Sequence, residues 1–199
     1  MNTHNPPPAR RPPWHVLVTL AAFVAVFSVL EVVSYTQKSA TMDEPIHLAA
    51  GYVALVDRDF RVDVTHPPLL RMWAALPLLG MVDVERHSAT IDRYPILFWQ
   101  GQAYVFARDL LYGHDADRLL NAARFMVVLL GLALGLLLFA WCYEWLGFVP
   151  AVFVLAFYTI EPNLVAHASL VTTDLGATCF MFGAVYFLWR TSTRYTSYP

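Results

Sequence analysis

Between Arg124 and Glu144 the sequence reads FMVVLLGLALGLLLFAWCY, without one charged side chain. A hydrocarbon layer about 30 Å thick takes about 20 such residues to cross as a helix. No water is there to meet the peptide groups, so the backbone must hydrogen-bond within its own segment. The run therefore predicts a membrane span over 124–143. Three more apolar stretches predict spans over 14–35, 145–161 and 170–189. The chain is 58% hydrophobic and 14% charged, with a mean hydropathy of +0.49. Soluble domains stand nearer about 45–50% apolar, and the excess here lies within these stretches. The expected fold class is all-α integral membrane, with about four transmembrane helices.

The net charge of −2 offers no basic stripe and argues against nucleic acid as a partner. Cys142 and Cys179 have neither disulfide-framework nor metal-type spacing and read as apolar fillers. Residues 1–13, with Pro6-Pro7-Pro8 and Pro12-Pro13, predict a disordered cytoplasmic tail. The first apolar run is longer than a signal core and is taken as a retained span. Trp14 and Tyr35 mark its ends as interfacial aromatics, and Glu31 is expected to reach the far interface. Gly131-x-x-x-Gly135 predicts close helix packing. Arg10 and Arg11 precede the first span, and Arg190 and Arg194 follow the last. Positive charge favours the inside, so both termini are expected to be cytoplasmic in a multi-pass inner-membrane protein.

This topology leaves 36–118 as a large outer loop. It is rich in Trp, Tyr and Leu, which suits short amphipathic interfacial helices better than a flexible linker. Thr41-Met42-Asp43-Glu44-Pro45 has capping-box spacing and a first-turn proline. Thr65-His66-Pro67-Pro68 marks a second helix start. A third apolar-aromatic stretch runs from Tyr94 to Tyr112.

Asp43 and Glu44 are adjacent carboxylates just beyond the first span. A helix N-terminus favours negative charge, and a surface carboxylate can take a proton from a hydroxyl. The same residues equally suit a helix cap. Asp174 lies near the start of the fourth span, where a carboxylate needs a polar cavity or partner; capping by the Thr172-Thr173-Asp174 cluster competes with that role. The predicted topology brings Asp43, Glu44 and Asp174 to the outer face. His66 suits a phosphate contact or a surface turn. His47, one turn after Asp43, and His167, in the outer turn, are open in the same way. Arg124 can hold a phosphate or reach lipid headgroups. No Gly-rich phosphate loop, zinc signature or haem motif is present.

Thr41-Met42-Asp43-Glu44-Pro45-Ile46-His47-Leu48-Ala49-Ala50-Gly51-Tyr52 resembles the first outer loop of phospholipid-carrier-dependent glycosyltransferases of the GT-C superfamily. That superfamily includes protein O-mannosyltransferases and aminoarabinose transferases. Asp59-Phe60-Arg61, His66-Pro67-Pro68-Leu69-Leu70 and the stretch from Glu161-Pro162-Asn163 to Thr172-Thr173-Asp174 continue the pattern in the same order. The resemblance implies a glycosyltransferase, with 14–199 as the N-terminal part of its transmembrane domain. Such an enzyme moves a sugar from a polyprenyl-phosphate donor to an acceptor at the outer membrane face. It makes Asp43 the candidate base, with Glu44 and Asp174 as further acids of the catalytic set. His66, Arg124, His47 and His167 are then the candidate substrate-binding residues. The Asp/Glu/His set permits a divalent metal without requiring one.

Relatives of this kind have many more spans. The sequence therefore also suits a truncated, non-catalytic membrane module, or one half of a split enzyme. Such a chain would bind lipid or a second chain supplying the missing spans.

Overall fold

The computed structural model describes residues 12–82 and 100–196, and of residues 100 and 194–196 only the backbone. Most of the expected tail, with Arg10 and Arg11, and the 94–99 part of the third loop stretch lie outside the described residues. The helices are α1 (Trp14–Tyr35), α2 (Glu44–Val56), α3 (Pro68–Ala75), α4 (Gln100–Tyr112), α5 (Ala116–Leu146), α6 (Phe148–Ile160), α7 (Pro162–His167) and α8 (Asp174–Thr196). A 3-10 turn, Leu76–Gly80, follows α3. No strand occurs among the described residues.

The all-helical expectation holds, but the span count is coarser than expected. Among the described residues, α1 and α5 are long and apolar enough to cross a membrane. This suits a membrane protein and leaves the other two spans open. α6 has 13 residues and reaches about 20 Å, short of a full crossing. α8 has 23 residues, but Arg190, Thr191, Ser192 and Thr193 make its end polar. The helix that contains 124–143 begins earlier, at Ala116, where Asp115 caps it, its side chain accepting from the Arg118 amide at 3.1 Å.

Four contacts fix the helix directions. Arg124, early in α5, meets the end of α1 at the Tyr35 carbonyl. Phe148, opening α6, stacks edge-on against His15 at the start of α1, 4.6 Å between ring centres. The Val171 amide, just before α8, reaches Glu44 at 3.1 Å. Late in α8, Tyr186 donates to Glu144 near the end of α5 at 3.0 Å. α1 and α6 therefore run one way, and α5 and α8 the other.

The buried stripe of α1 is Val16, Phe23, Phe27, Glu31 and Tyr35, spaced to fall along one helical face. Phe23 and Phe27 lie over Gly135 and Gly131 of α5, where an added methyl group would meet those rings at 2.3 and 3.2 Å. The glycine pair thus has the packing role its spacing predicts. Tyr158 of α6 packs against both phenylalanines and donates to the Gly131 carbonyl at 2.7 Å. Glu31 departs from expectation. It turns into the bundle, fully buried, and neither carboxylate oxygen has a hydrogen-bond partner. Its neighbour Ser169 stands outside hydrogen-bond geometry.

The helices between α1 and α5 pack against one another. Residues 47–54 of α2 are all buried, because α3 and α4 cover it from two sides. Ala103, Phe106, Ala107 and Leu110 of α4 are buried too, with Ala74 and Ala75 of α3. Their apolar side chains join the core formed with α5, where Leu119, Leu120 and Ala123 are also buried. Gly51 lets α3 approach α2: a methyl group there would lie 2.1 Å from the backbone carbonyl oxygen of Arg71. Backbone cannot swing aside as a side chain can, so α3 would have to move off α2. Gly51→Ala is expected to cost about 1–3 kcal/mol. Gly80→Ala, with nothing within 4 Å of the added group, should leave stability unchanged or slightly higher. Thermal unfolding of both variants in detergent micelles checks this, and equal melting temperatures would contradict the packing account.

Candidate functional site

Asp43 and Glu44 are adjacent yet occupy opposite environments, because successive helical residues project about 100° apart. Glu44 points inward and is fully buried with Arg124. Arg124 donates from Nε to Oε1 at 2.8 Å and from Nη2 to Oε2 at 2.7 Å, the two-pronged geometry that suits a guanidinium. Its other donors reach the carbonyls of Tyr35, Lys38 and Ser39, each at 2.9 Å. Glu44 also accepts from the Thr41 amide at 2.8 Å, from the Thr41 hydroxyl at 3.1 Å and from the Val171 amide at 3.1 Å. Burial acts to raise the Glu44 pKa. The hydrogen bonds from Arg124, Thr41 and Val171 and the Arg124 charge outweigh it and hold the carboxyl below its ordinary value.

This pair replaces the roles expected for both residues. Arg124 presents nothing to a phosphate, since it is fully buried and spends its donors on Glu44 and three carbonyls. Glu44 has no free face toward a substrate. Together they tie the end of α1, the start of α2, α5 and the approach to α8.

Asp43 points outward. It is exposed and shares a cavity of about 120 Å³ with Arg61, Asp63, His47, His66 and Tyr104. The Tyr104 hydroxyl donates to Asp43 Oδ1 at 3.4 Å. Burial, then the Asp43 charge, raises the Tyr104 pKa, so the phenol keeps its proton and remains a donor.

Asp63 organises the opposite wall. Its Oδ1 accepts from the Thr65 amide at 2.8 Å and the Thr65 hydroxyl at 2.6 Å. Its Oδ2 meets Arg71 Nη1 at 2.7 Å and His66 Nδ1 at 2.9 Å. Burial opposes ionisation, but Thr65, His66 and the Arg71 charge bring the Asp63 pKa down from 3.8 to about 2. Arg71 also donates to the Asp63 and His66 carbonyls, pinning the loop onto α3. His47 stands edge-on to His66, 4.8 Å between ring centres. Its Nδ1 is buried without a hydrogen-bond partner, 3.7 Å from Asp63 Oδ2. Burial, then the neighbouring His66 charge, lowers the His47 pKa and favours neutral imidazole. Among the described residues, His47, Asp63 and His66 form a cluster whose potential ligand atoms lie within 4.8 Å of one another.

Asp174 opens α8 at the same end of the bundle, three residues beyond Val171, and is exposed. It does not line the cavity. His167 is exposed at the end of the six-residue α7, likewise outside the cavity lining. Asp63, Arg71 and Tyr104 were not among the residues singled out in the sequence. Asp63-x-Thr65-His66 was the available signal: an Asp followed two residues later by Thr suits an Asx turn, and such a turn aims the carboxylate at the next histidine.

Two outcomes follow from these contacts. Arg124→Gln leaves Glu44 buried and uncompensated and should cost about 3–5 kcal/mol, with Arg124→Lys only partly restoring stability. Unfolding midpoints in micelles decide this, and a Gln variant as stable as the parent would contradict it. Asp63 and Glu44 both have folded-state pKa values below their unfolded ones. Their stabilisation is complete above the unfolded values of 3.8 and 4.5 and is lost as pH falls through the folded ones. The Asp63 share should disappear between about pH 4 and pH 2. A melt series across that range should therefore be flatter for Asp63→Asn than for the parent.

Comparison of the chain with protein-family models, with curated proteins and with solved structures finds no match, so the chemistry of the cavity is read from its own residues.

Proposed function

We propose that this chain is a glycosyltransferase, or the N-terminal part of one, that moves a sugar from a polyprenyl-phosphate carrier to an acceptor hydroxyl. In this reading it spans the inner membrane about four times, with both termini cytoplasmic and the cavity end outside. The observation that carries the proposal is the two-sided cavity. An exposed carboxylate, Asp43, faces Arg61, His47 and His66 across about 120 Å³. Transfer needs both sides. The acceptor hydroxyl is a weak nucleophile, and a carboxylate within reach can remove its proton as the oxygen attacks the anomeric carbon. The bond from that carbon to the phosphate oxygen breaks, and its electron pair leaves with the polyprenyl phosphate. Cationic and N–H groups stabilise that leaving charge. Direct displacement inverts the anomeric centre.

The order of the Asp43, His66 and Asp174 blocks supports the same reading. Arg61 and His66 take over the donor-phosphate role first expected of Arg124. Asp174 enters through the resemblance and its position at the cavity end of the bundle. The exposed apolar side chains of α1 and α8, among them Val26, Val29, Leu30, Phe180 and Met181, would face lipid or further spans.

The test supplies polyprenyl-phosphate sugar and candidate acceptors to the protein in nanodiscs and follows sugar transfer. Asp43→Asn should lower the rate by about 10²–10⁴-fold, the usual contribution of a general base. Transfer undiminished in that variant would end the assignment of Asp43. A parent protein that binds the donor without transferring sugar would favour the non-catalytic module.

A further inference from the structure

We infer that His47, Asp63 and His66 bind one divalent transition-metal ion of the Zn²⁺ or Mn²⁺ type in the cavity wall. The inference starts from an orphan. His47 is 5% exposed, and its Nδ1 has no hydrogen-bond partner. A buried polar nitrogen left bare costs free energy, and natural structures rarely leave one unpaired. His47 Nδ1 stands 3.7 Å from Asp63 Oδ2, too far for a hydrogen bond.

His66 Nδ1 is hydrogen-bonded to Asp63 and to the Thr65 hydroxyl, each at 2.9 Å, while His47 Nδ1 is left over, and the separations also suit a metal. With ligand bonds of about 2.0–2.2 Å, neighbouring tetrahedral ligands stand roughly 3.3 Å apart. The Asp63 Oδ2 separations to His66 Nδ1 and His47 Nδ1, 2.9 and 3.7 Å, lie on either side of that value. All three atoms fall within 4.8 Å of one another. Two imidazole nitrogens and one carboxylate oxygen select borderline divalent ions over Ca²⁺ and Mg²⁺, which prefer oxygen.

The surroundings are built as an outer shell. Thr65 occupies Asp63 Oδ1 through its amide and hydroxyl, and Arg71 reaches Oδ2 at 2.7 Å. These contacts fix the carboxylate plane, and Oδ2 retains lone-pair capacity for a metal. The charge balance is acceptable: Asp63 offsets Arg71, and Asp43 lines the same cavity. With three protein ligands, the fourth position opens into the cavity, the arrangement of a metal that also takes a substrate atom. A role for the ion toward the donor phosphate rests on the transfer reaction proposed above; binding of the ion does not.

The experiment reads metal directly. The whole chain in detergent micelles is stripped with EDTA, desalted, and titrated with Zn²⁺ and with Mn²⁺ by calorimetry; bound metal is counted after a second desalting. One ion per chain is expected. His66→Ala, at a side chain that is 45% exposed and so removable without opening the core, should bind about 10- to 100-fold more weakly. His47→Gln should do the same while keeping the parent's circular dichroism. His15→Ala, at the opposite end of the bundle, serves as control and should bind as the parent does. A stripped parent that takes up neither ion overturns the inference. So does a His66→Ala variant that binds as tightly as the parent, which would place the metal elsewhere. Sugar transfer enters neither outcome, so failure here and failure of the transfer reaction are told apart.

Discussion

The buried ion pair of Glu44 and Arg124 is the join on which the rest of the architecture depends. An isolated pair without exposure is a poor source of stability, because desolvating two charges costs as much as their attraction returns. This pair is not isolated. Three backbone carbonyls at the end of α1 complete the guanidinium, and two amides and a hydroxyl complete the carboxylate. Tyr35 ends α1, and Lys38 and Ser39 belong to the segment that follows it. The pair therefore anchors the exit from α1 and sets the relative position of four chain segments. Specificity of arrangement, more than net stability, is what such a network contributes.

That join also sets where Asp43 can point. With Glu44 locked inward, its neighbour is turned away and out toward Tyr104 and the Asp63 loop. The adjacency that made two catalytic acids plausible in the sequence thus separates them: one is a buried anchor, and the other lines the cavity. A helix puts adjacent residues on different faces, so Asp-Glu at a helix start is more naturally one anchor and one outward group than a pair acting together.

Much of this was legible in the chain. The apolar runs gave the long helices, because only a helix keeps its peptide bonds satisfied over such a length. Thr41 with Glu44, and Pro67 with Pro68, marked two loop helices near their true starts. Gly131 and Gly135 were recognisable as packing positions. Harder to see were pairings distant in sequence. Nothing local distinguishes Arg124 as a residue that will meet Glu44 rather than a phosphate, since both roles ask for the same fork of donors. Glu31 was misplaced for a related reason: its position near a helix end does not say which face it takes, and the stripe Phe23, Phe27, Glu31 and Tyr35 turns it inward. Asp63 lay in a stretch without periodicity, where only turn chemistry offered a signal.

The cavity then depends on a close approach between two stretches of backbone. His47 sits on α2, while Asp63 and His66 sit on the loop leading into α3, so their separation is set by how nearly those two helices meet. Gly51 fixes that distance, because its missing side chain lets the Arg71 carbonyl come within 2.1 Å of where a Cβ would stand. Arg71 then holds the loop by its carbonyls and Asp63 by its carboxylate. One residue thus packs α3 onto α2 through its backbone and orients the acid of the cluster through its side chain. A larger residue at position 51 would separate the histidines although position 51 does not itself line the cavity. The polar cluster is, in this sense, positioned by a backbone contact one turn beyond His47.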